Sequence, residues 1–377
     1  MQHRFFNPLI SVVVLTRNRR AEAVRTVTAL LRLPERPEVI VVDNGSTDGT
    51  PQLLAHVCPG LRVLRCGANL GAAGRNVGAV QVRTRYVAFS DDDTEWQPGA
   101  LADAVELLER HPRIGTLCAR VVVGEARTLD PTCERMAASP LAAADHPLRR
   151  LTGFMAGAAV FRTAVFRELG GYEPQLFIGG EEALLSLDVL QAGYDIAYAP
   201  SLEVHHRPSP VRDSALRRRV LARNAALVAW LRLPRREAMA ATWRALASAC
   251  KEARPSDDLR ALVRGIRWAA RRRRPVAARV LRLREAVCDA ERRHARRGRR
   301  CCRCCRCCRC CRCCRCCRCC RCCRCCRCCR GRQRRHAIWS RTRCEARHAS
   351  SAPPAPRRAD SGGTRATGSR KRGRRAA

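Results

Sequence analysis

The chain has 377 residues, 46% of them apolar and 28% charged, and its 73 Lys and Arg against 33 Asp and Glu give a formal net charge of +40. That length accommodates two domains, or one large α/β domain with an appendage, and the apolar share suffices for a sizeable core. The charge is confined to one half: residues 1–210 carry 22 basic and 23 acidic side chains and residues 211–377 carry 51 and 10, which excludes a uniformly basic nucleic-acid binder.

Strands and helices alternate over the first ninety residues. Residues 9–15 (LISVVVL) form a short apolar run rich in β-branched side chains and predict a first strand, followed by the polar turn Thr16-Arg17-Asn18 and a helical pattern over 21–33. EVIVV at 38–42 predicts a second strand closed by Asp43-Asn44-Gly45, and Ser46 is expected to cap a helix over 51–57. A third strand is expected at 61–65, a third helix at 72–82 and a fourth strand at 86–90 (YVAFS). Continuously apolar strands separated by helices predict a parallel sheet covered on both faces. Right-handed crossovers then bring the strand C-termini to one edge, where ligands bind in open α/β sheets.

Further along, the pattern predicts a helix at 98–110, a strand at 114–123, an irregular loop at 124–150, a strand at 158–162 and a short helix at 163–169. A helix follows at 182–192, extended segments at 196–199 and 202–205, and a helix at 214–233 with Arg on one side and Leu, Val and Ala on the other. Three regions result: an α/β domain at 8–210, a basic helical extension at 211–288, and a low-complexity tail at 289–377 whose composition cannot bury enough surface to offset chain entropy. No apolar run approaches the ~20 residues that span a bilayer. Residues 1–8 lack the features of a secretory signal, so a cytoplasmic location is expected, with peripheral docking on the inner face of the plasma membrane as the sharper form of it.

Twenty of the 27 cysteines fall in ten consecutive Cys-Cys-Arg triplets at 301–330, and the others (Cys58, Cys66, Cys118, Cys133, Cys250, Cys288 and Cys344) match no zinc or redox spacing, as expected of scattered free thiols in a reducing compartment. An unbroken triplet array offers no loop to wrap an ion, so a thiolate cluster is the weaker reading. A nine-base repeat such as TGCTGCCGC encodes Ala-Ala-Ala in one shifted frame and Leu-Pro-Leu in the other. With two lysines, Lys251 and Lys371, against 71 arginines, GC-rich coding is indicated, and a shifted-frame or dispensable tail is expected over a metal- or nucleic-acid-binding one.

The chemistry gathers at predicted strand ends. Asp91-Asp92-Asp93 closes the fourth strand, where adjacent carboxylates suit a hard divalent ion that keeps positions open for phosphate oxygens. Asp43 ends the second strand, placed to accept hydrogen bonds from a base or ribose, and Thr16, Arg17 and Asn18 end the first. Between the third strand and its helix, glycines 71 and 74 in Asn69-Leu70-Gly71-Ala72-Ala73-Gly74-Arg75-Asn76 permit close backbone approach to a diphosphate at a helix N-terminus, and Arg75 can pair with phosphate. Taken singly, each is an ordinary turn. In the second half, Gly179-Gly180 precedes Glu181-Glu182 at a helix start, where carboxylates either complement the helix dipole or serve as a firmly held base.

SVVVLTRNR, VIVVDNGSTDGT, NLGAAGRNVGA and YVAFSDDD, in this order and spacing, resemble the nucleotide-binding half of family 2 glycosyltransferases with the GT-A fold. The resemblance continues through the stretch from GFMAGAAVF to EVHH, covers residues 8–210, and extends loosely to 288. It implies a Rossmann-like, mostly parallel α/β sheet sandwiched by helices and an inverting, Mg2+- or Mn2+-assisted transfer from a nucleotide diphospho-sugar to an acceptor hydroxyl, such as that of a lipid-linked glycan. It implies nucleoside contact for Asp43 and a DxD motif at Asp91 and Asp93, both candidate metal ligands with Asp93 favoured over Asp91, and Asp91 and Asp92 beside the donor. His206 is implied to complete the metal site. Glu181-Glu182 stands in the place of the family's Glu-Asp pair, whose second acid is the usual base. The sequence departs from the pattern in that Glu182 is one methylene longer than Asp, Leu184 stands where many relatives have Asp, and His205 adjoins His206.

The basic helices at 213–288, with Arg217-Arg218-Arg219 and the run 271–274, read either as a solvated cationic face or as a membrane-docking surface. A nucleic-acid-binding function would need stacking aromatics, and Trp230, Trp243, Trp268 and Trp339 are too sparse for it. A nucleotidyltransferase on a similar fold would need a Gly-rich phosphate loop after the first strand, and TRNRR lacks the glycines.

Overall fold

In a computed structural model the strands β1 (Ile10–Thr16), β2 (Glu38–Asp43), β3 (Arg62–Arg65) and β4 (Tyr86–Asp91) pair in parallel in the order β3-β2-β1-β4. The residues described are 9–208, 214–250 and 255–306, with side chains at 9–208, 220–250 and 256–294. β1 and β2 are buried along nearly their whole length, as apolar runs without alternation require of a sheet covered on both faces. The register sets Thr16 opposite Asp43 on one side and Leu15 opposite Asp91 on the other, so three of the expected polar strand ends share one edge. The chain leaves β1 towards β2 and β3 and returns to β1's other flank as β4, and the gap between β1 and β4 is the switch point at which such sheets bind ligands.

Beyond β4 the sheet is mixed. β5 (Thr94–Trp96), β6 (Ile114–Val123), β7 (Thr128–Leu129), β8 (Arg149–Leu151), β9 (Ala159–Arg162) and β10 (Asp195–His206) extend it in the order β4-β9-β6-β10-β5, with β7 on β6 and β8 on β10. β9 runs antiparallel between β4 and β6, so the sheet is mixed rather than wholly parallel. The two extended segments expected at 196–199 and 202–205 are one strand with a register shift between Ala199 and Glu203, where Pro200 cannot donate to the ladder. β5 lies antiparallel on the end of β10 and sets His206 opposite Thr94, next to Asp93.

The helices of the α/β part are α1 (Arg20–Leu31), α2 (Thr50–Val57), α3 (Gly74–Gln81), α4 (Ala100–Arg110), α5 (Pro131–Ala137), α6 (Thr163–Glu168) and α7 (Glu181–Gln191). The stretch expected as an irregular loop at 124–150 contains β7, α5 and β8. The α5 start was signalled by Asp130-Pro131: the aspartate caps the helix through Thr132 N at 2.7 Å, and proline fits its first turn. The expected cap at Ser46 gives way to Gly49 at φ +83°, while the Ser46 hydroxyl accepts from Asn18 N at 2.9 Å instead. Behind β4 and β9 an aromatic cluster of Phe89, Phe154, Phe161, Phe166 and Tyr172, with ring centroids 4.8–6.4 Å apart, fills the core, and Tyr172 faces the functional edge.

The extension is helical: α8 (Ser214–Arg232), α9 (Arg235–Ala249), α10 (Pro255–Arg271) and α11 (Ala278–Arg306). α11 carries the helix into the stretch read from sequence as a low-complexity tail. Residues 307–377, with most of the Cys-Cys-Arg array and Cys344, lie outside the described residues, as do the side chains of Arg217-Arg218-Arg219. Arg273 is partly structural, its guanidinium donating to the carbonyls of Trp230 and Leu233 at 2.5 Å each at the end of α8. Cys58, Cys66, Cys118, Cys133, Cys250 and Cys288 are free thiols, and no described helix is long and apolar enough to cross a membrane.

Candidate active site

At the β1 and β2 ends, Thr16 and Asp43 are each 1% exposed, yet Thr16 Oγ1 and Asp43 Oδ1 have no hydrogen-bond partner. An orphaned buried acceptor costs about 1–3 kcal/mol, and these two, in register on adjacent strands, are ones a hydrogen-bonding ligand could satisfy. Asp43's second oxygen accepts from Ser46 N at 3.3 Å, which fixes the carboxylate's orientation. Asn18, at φ +52°, ties this turn to the next one, its side chain accepting from Thr47 N at 2.8 Å, and Arg17 is exposed.

The 69–76 loop differs in detail from its expected role. Asn44, a residue the sequence reading passed over, pins it: the amide donates to Asn69 Oδ1 at 2.9 Å and Gly71 O at 3.0 Å and accepts from Leu70 N at 2.9 Å. Gly71 is needed at φ +61° because a Cβ there would lie 2.0 Å from Phe177 O, and a Cβ on Gly74 would strike Leu15 at 2.6 Å, so these glycines accommodate the protein's own chain. Asn76, expected near the donor, instead holds the Tyr172 backbone, donating to its carbonyl at 2.7 Å and accepting from its N–H at 2.9 Å. The buried Arg75 guanidinium, expected on phosphate, is paired with Asp91.

The acidic run divides its side chains. Arg19 lies between two of them, 2.8 Å from Asp92 Oδ1 and 3.3 Å from Asp93 Oδ2. Asp93 presents its other oxygen, Oδ1, to His206 Nε2 at 3.6 Å. His205 is engaged elsewhere, its Nε2 2.9 Å from Gly124 O, so His206 is the one facing the acidic corner. Burial pushes the Asp92 carboxyl up to about 6 against the pull of Arg19, with Asp93 and Asp91 adding to the rise. One carboxylate oxygen and one imidazole nitrogen facing each other form a donor pair suited to a divalent ion that completes its shell with phosphate and water oxygens.

Across the site, α3 and α7 meet around Arg75. Burial works against the Arg75 charge, but Asp91, with Tyr172 and Glu182 near it, holds the proton more tightly than usual. Glu182 is half-buried at the start of α7, whereas Glu181 is 5% exposed and its Oε2 has no partner. Burial, then the neighbouring Glu182, pushes the Glu181 carboxyl up to about 7 from an ordinary 4.5. A carboxyl that holds its proton more tightly when folded favours folding at low pH, and that advantage disappears as pH rises through 7. Glu181→Gln is expected to raise Tm by roughly 2–5 °C at pH 8 and change it little at pH 5, read by calorimetry; a lower Tm at pH 8 would show that the ionised carboxylate is stabilising.

A separate cluster, Asp145, His146 and Asp195, brings three donor atoms within 4.8 Å of one another. It lies at the start of β10, roughly 30 Å along the strand from His206, so both cannot hold the same ion. Arg150, 2.7 Å from Asp195 Oδ1, and Arg113, 3.5 Å from Asp145 Oδ2, already balance its carboxylates.

Residues 11–170 match the model of the family described as glycosyl transferase family 2. The chain is similar to the N-acetylglucosaminyl-diphospho-decaprenol L-rhamnosyltransferase of Mycobacterium tuberculosis, 28% identical over 244 residues, 55% of this chain and 79% of that protein. It is also similar to the pre-mycofactocin glycosyltransferase of the same organism, 29% identical over 233 residues, 58% of this chain and 47% of that protein. Among solved structures, S. aureus TarS 1–349 in complex with UDP-GlcNAc superposes with a TM-score of 0.50 at 16% identity, covering 77% of this chain and 92% of that one, a likeness of fold.

Proposed function

We propose that this chain, which matches the glycosyl transferase family 2 model over residues 11–170, transfers a hexosyl or deoxyhexosyl group from a nucleotide diphospho-sugar to an acceptor hydroxyl with inversion. The observation that carries the reading is the 3.6 Å approach of Asp93 Oδ1 to His206 Nε2, two side chains far apart in sequence brought to the sheet edge where Thr16 and Asp43 leave buried acceptors unpaired. Thr16 and Asp43 accept hydrogen bonds from the nucleoside, and Arg19, beside Asp92 and Asp93, adds positive charge next to the diphosphate. Asp93 and His206 would hold Mg2+ or Mn2+, which when bound neutralises charge developing on the departing nucleoside diphosphate. Arg75 holds Asp91 in place. Glu182, half-buried and reachable, takes the proton of the acceptor hydroxyl as its oxygen bonds to the anomeric carbon. The bond from that carbon to the phosphate oxygen breaks on the opposite face, so one displacement inverts the configuration. Glu181, only 5% exposed, is the less accessible of the two acids.

The test is to incubate the full chain and Mn2+ with UDP-, dTDP- and GDP-sugars, following nucleoside diphosphate release and the configuration of the sugar product by NMR. Release from one donor class with an inverted product is expected; no release from any, or retention, would overturn the reading. The similarity to a diphospho-decaprenol-dependent enzyme supports an acceptor of the polyprenyl-linked glycan class, and hence a role in polysaccharide or glycolipid assembly.

An exposed stripe on α9 favours work at a membrane surface. Met239 and Trp243, one turn apart, are 55% and 68% exposed, and Arg235, Arg236 and Arg244 are exposed beside them. An amphipathic Trp beside snorkelling arginines suits an anionic lipid interface, each cation adding about 1 kcal/mol near the surface. The chain is expected to co-sediment with anionic but not neutral liposomes, less so in high salt, and roughly threefold less after Trp243→Ala. Equal sedimentation of variant and wild type would remove this face from the interaction.

A further inference from the structure

Asn224 lies in the middle of α8, in the helical extension, and is fully buried. Its side-chain amide nitrogen donates to three backbone carbonyls of one loop: Leu176 at 2.6 Å, Ile178 at 3.2 Å and Gly179 at 2.6 Å. The orientation of that amide is fixed by the preceding residue, for Arg223 Nε can only donate and reaches Asn224 Oδ1 at 3.1 Å. The Arg223 guanidinium also donates to Gln175 O at 2.7 Å, so two consecutive residues of α8 hold four carbonyls of residues 175–179.

That loop needs holding. Phe177 sits at φ +59° and ψ −70°, a conformation that costs a side-chain-bearing residue about 1–3 kcal/mol and persists only where its surroundings over-determine it. Gly179 and Gly180 follow at φ +83° and +97°, and a Cβ on Gly180 would meet Asn224 Cβ at 3.2 Å. On its far side the loop grips the donor half, Ala72 N donating to Phe177 O at 2.6 Å. At its end it becomes the first turn of α7, with Glu181 and Glu182. One short segment thus joins the 69–74 loop, the acidic pair and α8.

We infer that Asn224, oriented by Arg223, is a positioning residue for the transfer reaction: it fixes the 175–180 loop and thereby sets the Glu182 carboxylate against the donor, which makes the helical extension part of the catalytic unit. The inference rests on the glycosyl-transfer reading for its catalytic half and on the loop geometry for its structural half. Without the Asn224 amide, three converging carbonyls lose their common donor and the strained loop relaxes. A displacement of the base of about 1 Å is enough to cost roughly 10²-fold in rate.

The test compares full-length wild type, Asn224→Ala, Asn224→Ser and Leu227→Ala. Leu227 is 1% exposed and faces Gly265 of α10, so its truncation loosens α8 packing away from the loop. Amide hydrogen exchange over 175–184 is expected to accelerate roughly tenfold in Asn224→Ala and to stay near wild type in Leu227→Ala, even where both lower Tm. With a sugar nucleotide that wild type consumes, Asn224→Ala is expected to lose about 30-fold in kcat while donor KM moves less than about threefold. Asn224→Ser, which keeps a donor, is expected to recover part of the loss. Unchanged exchange at 175–184 in Asn224→Ala would overturn the inference, as would accelerated exchange with kcat within about threefold of wild type. If wild type consumes no sugar nucleotide at all, the transfer reading falls, and the exchange result alone decides whether Asn224 holds the loop.

Discussion

Asp93→Ala is expected to lower release of nucleoside diphosphate by roughly 10³-fold or more while the protein stays folded. The carboxylate offers Oδ1 towards His206 and Oδ2 towards Arg19, so its loss removes the oxygen half of the only carboxylate–imidazole donor pair the described residues place at the sheet edge with Thr16 and Asp43. Arg19 keeps Asp92 at 2.8 Å, which limits the structural damage. Asp93→Asn, of nearly the same shape but uncharged, separates charge from packing, and both variants should fail alike. The measurement is steady-state product release with Mn2+ held saturating for wild type, alongside a thermal melt. Activity within about tenfold of wild type in Asp93→Asn would remove Asp93 from the reaction.

Glu182→Gln is expected to reduce kcat by about 10²–10⁴-fold, the range for loss of a general base, with donor KM little changed. The substitution keeps size and hydrogen-bonding reach at a half-buried helix start, so no change of fold is expected. Glu181→Gln makes the informative contrast. Its carboxyl is 5% exposed, out of an acceptor's easy reach, so it should keep most of the activity. If Glu181→Gln inactivates and Glu182→Gln does not, the acceptor's proton goes to the buried acid.

Much of this edge was legible in the sequence because parallel strands are simple to read: continuous apolar runs ending in polar residues place Thr16, Asp43 and Asp91 at one edge once the chain alternates strand and helix. The antiparallel insertion of β9 was not legible, since a four-residue strand carries no direction in its pattern. Nor were the partners of loop residues. Gly71, Gly74 and Asn76 have the composition of a phosphate loop, yet they accommodate Phe177, Leu15 and the Tyr172 backbone, contacts set by segments far along the chain. Arg19 and Asn44 were overlooked for a related reason: an arginine in a basic turn and an asparagine beside an aspartate look ordinary until the fold gives them Asp92, Asp93 and the 69–71 loop. Asn224 was hidden by its setting, one polar residue among the apolar positions of an Arg-rich helix. The α5 start, by contrast, was readable in Asp130-Pro131, and an irregular neighbouring composition masked it.

The most direct measurement is calorimetric titration of the full chain with UDP, dTDP and GDP, each with Mn2+ and with Mn2+ chelated, for wild type and His206→Ala. One nucleoside diphosphate is expected to bind, at least about tenfold more tightly with Mn2+ than without, and His206→Ala is expected to abolish that gain while leaving the metal-free affinity alone. Binding indifferent to Mn2+ in wild type, or no binding of any of the three, would contradict a site in which Asp93 and His206 share one cation with the donor's diphosphate.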